Sequence, residues 1–226
     1  NIRNHMGLDL CPLGKAKPGQ EQTFQTLYNR LLNDDNGFDL SDDERERLLD
    51  EWFAITIPAI DTLNPPQVGK DPRADAWLRA QYDKNDDPDK PTYEEIYREY
   101  RGYYVFELAE DKDGVSTYTS LAGDQTTFRG QYLDYCTEIL SEELINEAWT
   151  HHTAVETVDY ARRILATIDP IAVTHDLTYL KNQREPPQND DEAEEYDLAT
   201  QLHIVYSLVR WLNYYGTRGH GFEAYF

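Results

Sequence analysis

Leu198-Ala-Thr-Gln-Leu-His-Ile-Val-Tyr-Ser-Leu-Val-Arg-Trp-Leu-Asn-Tyr-Tyr-Gly216 is the segment on which the fold turns. Leu198, Leu202, Val205, Leu208, Val209 and Leu212 recur at helical spacing, and glycine closes the run. Its middle, Ile204-Val-Tyr-Ser-Leu-Val209, is apolar on most faces. A helix apolar all round belongs deep inside a core. The remaining elements should therefore wrap it.

Toward the N-terminus, Pro186-Pro187 and the acid cluster Asp190 to Glu195 form a boundary. Before it, Ser141 caps a predicted long helix running to about Ile168, with Leu144, Ala148, Val155, Val158 and Ile164 among its apolar positions. Asp169-Pro170 is expected to stop it. Phe128, Tyr132, Tyr135, Cys136 and Ile139 form another stripe. Tyr103 to Ala109 and Val115 to Leu121 are rich in β-branched and aromatic residues around Asp111-Lys-Asp-Gly114, which predicts a hairpin. Gly7 to Leu13 alternates and reads as a short strand, on a sheet edge because of Pro12.

Shorter helices open the chain. Glu21 to Leu32 carries one apolar stripe and ends at Asn33-Asp-Asp-Asn-Gly37. Ser41-Asp-Asp-Glu44 and Thr92-Tyr-Glu-Glu95 have the capping-box form, and Asp71-Pro72 starts a further helix through Trp77 and Leu78. The reading is an α+β fold, mostly α: a helical core with a small antiparallel sheet at about 103–121, joined by a strand at 7–13. One domain over 6–226 is expected, with a boundary near 122 as the alternative. Residues 1–5 precede the only methionine, Met6, and are read as a remnant outside the native protein.

The 226 residues include 43 Asp plus Glu against 21 Lys plus Arg, a net charge of −22. Direct nucleic-acid binding is excluded, because phosphate affinity comes from Lys and Arg. An anionic membrane surface is excluded likewise. No apolar run reaches the roughly 18 residues of a membrane span, and the start lacks a leader pattern. Two cysteines, Cys11 and Cys136, in no metal or redox spacing suit a reducing compartment, so a cytoplasmic location is expected. Asp exceeds Glu, 24 to 19, and Arg exceeds Lys, 14 to 7, a halophile-type bias.

Four patterns bear on chemistry. Asp83, Asn85, Asp87, Asp89 and Glu94 hold the oxygen-ligand positions of a calcium loop, but Pro88 stands where glycine is needed. A solvated linker is the competing reading. Glu147 with His151, and His152 with Glu156, are each four apart and would share helix faces. With His175 or His203 arriving from elsewhere, and Asp159 or Asp176 nearby, they could hold a divalent metal. Ion pairs on a wet face are the plainer account. Neither a G-x-S-x-G elbow nor a G-x-x-x-x-G-K-[ST] loop occurs, which removes the most recognisable hydrolases and nucleotide-binding enzymes. Tyr93, Tyr97, Tyr100, Tyr103 and Tyr104 crowd one stretch, suited to an interface or to a core shared with the hairpin. Gly216-Thr-Arg-Gly-His-Gly221 reads as a terminal loop.

The functional expectation is a non-catalytic acidic protein without a cofactor. It would bind a protein partner, a basic one, as an inhibitor, immunity protein or nucleic-acid mimic does. The alternative is a metal-dependent enzyme built on His151, His152 and Glu156 in the helix around 147–159.

Overall fold

A computed structural model describes residues 7–33, 40–188 and 196–226 of the chain. The last long helix, α8 (Leu198–Gly216), is its axis. Asp197 caps it by accepting the Thr200 N–H at 2.8 Å, and its side chains are buried on nearly every face. Helix α7 (Ala154–Thr174) packs along one side. A four-stranded antiparallel sheet covers another: Trp211 donates its indole N–H to the Thr126 carbonyl at 3.2 Å and packs against Phe128 and Phe222. The α+β, mostly α reading holds.

The sheet runs in the order β4 (Thr119–Ala122), β5 (Gln125–Arg129), β1 (Asp9–Pro12) and β6 (Phe222–Tyr225). Leu10, Phe128, Phe222 and Ala224 point into the core at 0–4% exposure, as the period of two requires. Strand β1 is thus present but central, not an edge. Pro12 is tolerated because it lies beyond the last β1–β5 pair, at Leu10, while the bonding to β6 resumes after it with the Leu13 N–H donating to the Gly221 carbonyl at 2.9 Å.

The hairpin lies further along than expected. It is β4–β5, turning at Gly123 with φ +60, and the 103–109 run is not a strand. That run contributes one bridge, Gln67 to Tyr104, and a 3₁₀ turn at Phe106–Leu108. Gly114 does not serve a hairpin: a Cβ there would lie 2.6 Å from Tyr214 Cε1, so close packing on α8 explains the glycine.

The predicted long helix is two. Helix α6 (Glu142–Glu147), capped by Ser141, ends before a break, and Thr153 opens α7 with a reciprocal capping box to Glu156. Helix α7 also runs through Pro170 to Thr174. Ile168 and Ala172 are fully buried, and Asp169 accepts from Tyr206 of α8 at 2.9 Å and from Lys181 at 2.9 Å. Packing on both sides of the proline holds the last turn in place against its local preference.

The other helices are α1 (Glu21–Tyr28), continued by a π turn at Asn29–Asn33, α2 (Asp42–Ile55), α3 (Ala59–Leu63), α4 (Pro72–Lys84) and α5 (Tyr93–Tyr100). Strands β2 (Lys15–Ala16) and β3 (Thr56–Ile57) pair separately. Leu13, Leu27, Tyr28, Leu31, Leu48 and Trp52 form a small core of their own. Val68, Ala74, Leu78 and Val105 form another, flanked by Tyr93, Tyr97 and Tyr100. The expected remnant at 1–5, the turn around residues 34–37 and the acid cluster at 190–195 lie outside the described residues. Among the described residues, no helix is long and apolar enough to cross a membrane.

Candidate functional site

A cleft of about 290 Å³ opens where the α1–α2 core meets the sheet. Leu31, Leu32, Leu49 and Trp52 give it an apolar wall; Pro58, Ala59 and Ile60 close one side. Phe53, 68% exposed, stands beside it on α2. The opposite wall is polar and comes from the sheet: Cys11 of β1, Glu223 of β6, and Asp124 with Gln125 at the hairpin turn. Arg45 reaches in from α2. A junction between two cores, apolar with a few converging polar groups, is where ligand sites concentrate.

The antiparallel register puts Glu223 directly opposite Cys11, so their side chains emerge on the same face. Among the described residues the Glu223 side chain makes no hydrogen bond and no ion pair. Burial pushes its carboxyl up from the ordinary glutamate range, and the nearby Arg45 only partly offsets this. Burial likewise pushes up the Cys11 thiol, whose Sγ lies 3.7 Å from Thr127 Oγ1; Glu223 and Asp9 add to the rise. Cys11 is therefore a neutral thiol beside a carboxylate that Arg45 compensates only in part.

The sequence-derived candidates lie elsewhere. His151 is half-buried and accepts the Ala224 N–H at Nδ1, 3.2 Å away; burial lowers its basicity. His152 reaches Glu147 Oε1 at 3.2 Å and the Thr150 carbonyl at 2.9 Å. Glu147 is in turn clamped by both terminal nitrogens of Arg163; burial opposes its ionisation, but Arg163 and His152 hold it below the usual range. Glu156 turns back to cap Thr153, and Asp159 pairs with Arg162 and Arg163. His175 ends α7 in solvent, next to Asp176 at φ +57. His203 is enclosed, its Nδ1 2.8 Å from the Tyr118 hydroxyl and its Nε2 3.2 Å from the Gln183 carbonyl. The structure joins only His152 to Glu147. Among the described residues, no three His, Cys, Asp or Glu side chains are grouped to hold a metal ion.

The calcium-spaced loop uses its oxygens on itself. Asn85 Oδ1 accepts the Asp87 N–H at 3.0 Å, and Asp87 Oδ1 accepts the Asp89 N–H at 3.0 Å. The Lys90 ammonium donates to the Tyr82 and Asn85 carbonyls. Asp83 pairs with Arg79, and Glu94 lies exposed while Glu95 makes the capping box.

Glu223, Cys11 and Arg45 were not singled out from the sequence as one site. The alternation Phe222-Glu-Ala-Tyr225 was the available signal for β6, but four residues at a chain end are too few to separate a strand from a tail. No family model, no curated protein and no solved structure matches this chain.

Proposed function

We propose that the protein acts by binding a basic protein partner in the α2–sheet cleft. An apolar side chain of the partner rests against Leu49 and Trp52, and a neighbouring Lys or Arg meets Glu223. The observation that carries this reading is the Glu223 carboxylate, half-buried in an apolar-walled cleft where Arg45 offsets its charge only in part and forms no ion pair with it. A buried charge without a partner is costly, and an incoming cation removes that cost. The exposed Asp42, Asp43, Glu46 and Asp50 of α2 and the net charge of −22 would draw a basic partner in. The work done is recognition, without a catalytic step or a cofactor. Two free cysteines suit a reducing cytoplasm as the place where it happens.

Titration with short peptides that carry Leu or Phe beside Lys or Arg tests the reading. Wild-type protein should bind them more weakly as salt rises, and Glu223→Gln should weaken binding about tenfold. Equal affinity in the variant, or equal binding of acid-flanked peptides, sinks it.

A further inference from the structure

A second groove, of about 330 Å³, lies between α4 and α5 and shares no residue with the α2–sheet cleft. Helix α4 presents Trp77 and Gln81, four apart, and Leu78 and Tyr82, four apart; α5 presents Ile96 and Tyr100 in the same register. Leu78 is buried at the floor, and Lys90 and Pro91 close one end. The rings are fixed from behind. Trp77 stacks on Tyr103 at 6.4 Å, Tyr100 meets Tyr103 edge-on at 5.4 Å, and Tyr82 meets Tyr93 edge-on at 5.4 Å. They present preformed apolar surface that loses little entropy on binding.

We infer that this groove docks a proline-rich protein segment in the polyproline II conformation, flanked by a basic residue. Three observations converge. First, Trp- and Tyr-walled grooves complement the ridges of a polyproline II helix, which arrives already ordered. Second, among the described residues the Trp77 indole N–H, the Tyr82 and Tyr100 hydroxyls and the Gln81 amide make no hydrogen bond. Polyproline II has no internal hydrogen bonds, so every carbonyl along it is an acceptor for such donors. Asn85 Oδ1, also in the lining, accepts the Asp87 N–H. The indole can only donate, and the tyrosine hydroxyls and the Gln81 amide, which can also accept, are each able to donate to such a row of carbonyls.

Third, the loop closing the groove carries exposed Asp86, Asp87 and Asp89, three carboxylates against the exposed Lys84 and the part-buried Lys90. Arg79 pairs with Asp83 and covers the Tyr93 ring at 4.6 Å. Lys90 covers the Tyr82 ring at 4.2 Å and holds two carbonyls. The rim is left acidic, complementary to an arginine or lysine beside the prolines.

A peptide of repeated Pro-Pro-Ala opened by an arginine, titrated into the intact protein and followed by tryptophan fluorescence and calorimetry, tests the assignment. Saturable binding is expected, weakened about tenfold by Trp77→Ala or Tyr100→Ala, and less by Gln81→Ala on the exposed rim. Replacing Asp86, Asp87 and Asp89 together by Asn should abolish the salt dependence. Glu223→Gln should leave this binding unchanged, which separates it from the α2–sheet cleft. Absence of saturation with folded wild-type protein overturns the inference. So does affinity that survives both aromatic substitutions in variants with native circular dichroism, or preference for a linear glucan over the peptide.

Discussion

His152 and Phe222 exchange both of their backbone hydrogen bonds, at 2.9 and 3.0 Å, and the imidazole lies over the phenyl ring with centroids 4.5 Å apart. The His151 side chain accepts the next free N–H of the strand, that of Ala224. Two adjacent histidines thus close the outer edge of β6, which otherwise would offer unpaired backbone groups to another chain. Their presence as a pair is explained by a sheet edge.

Such close pairing leaves no room at the residue before Phe222. A Cβ on Gly221 would fall 2.0 Å from the His152 carbonyl oxygen. Gly221→Ala should therefore push β6 off this edge and cost about 3 kcal/mol or more, since backbone cannot yield as a side chain does. Denaturant unfolding measures the cost, and faster amide exchange at Phe222 and Ala224 should localise it.

His220, fully buried, donates from Nδ1 to the Leu13 carbonyl at 2.8 Å and faces Thr62 Oγ1 from Nε2 at 2.7 Å. Burial lowers its pKa to about 4, helped by Lys15 and Arg218 and opposed by the Leu13 bond. The unfolded imidazole titrates near 6.5. Protons therefore bind the unfolded chain first as pH falls, and the contribution present above about pH 6.5 is lost toward pH 4, by at most about 3 kcal/mol. His220→Gln should flatten that part of the stability–pH curve. A variant as pH-sensitive as wild type between those values would contradict the assignment.

For Glu223 the sign is opposite. Burial raises its folded pKa above that of the unfolded chain, so ionisation penalises the fold once pH exceeds the unfolded value, and the penalty is complete above the folded one. Glu223→Gln should raise the melting temperature at pH 7 and leave it nearly unchanged below about pH 4. The same variant is expected to lose partner binding. A gain in stability paired with a loss in recognition marks a group kept for function.

Thr153 and Glu156 satisfy each other at the start of α7: the Thr153 N–H donates to Glu156 Oε2 at 2.8 Å and its hydroxyl at 2.7 Å. Thr153→Ala should cost about 1 kcal/mol. Urea titration reads this directly, and a change below the noise would mean that burial of Tyr160 and Ile164 alone sets where the helix begins.

Calcium is expected to leave the melting temperature unchanged, because Lys90 already supplies a cation to the Tyr82 and Asn85 carbonyls and the loop carboxylates bond within the loop. Lys90→Ala should loosen that loop and lower stability modestly. A calcium-dependent rise in the wild-type protein would restore Asp83, Asn85, Asp87, Asp89 and Glu94 as a ligand set.

Local signals carried most of the helices. Ser41, Asp71, Thr92 and Ser141 each cap the helix that their side chains announce, since a cap acts within four residues. Where local preference met packing, packing won. Pro170 lies inside α7 because Ile168 and Ala172 are buried on either side of it, and the aromatic run 103–109 forms a bridge and a turn because its partner is Gln67, not the segment after Gly114. The break at Thr150 to Thr153 was hidden because Ala148 and Val155, seven apart, stand in helical register on either side of the polar Thr-His-His-Thr.

The sequence by itself determined that Ile204 to Val209 would be enclosed, since no polar face remains to meet water, and that the surface would be strongly acidic. It also determined the α+β class. Tertiary structure alone decided which distant side chains meet. Glu223 faces Cys11 across a register set by Leu10 and Phe222 entering one core, 212 positions apart in sequence. That pairing depends on burial shared by both chain ends, a non-local term that no window of neighbouring residues contains.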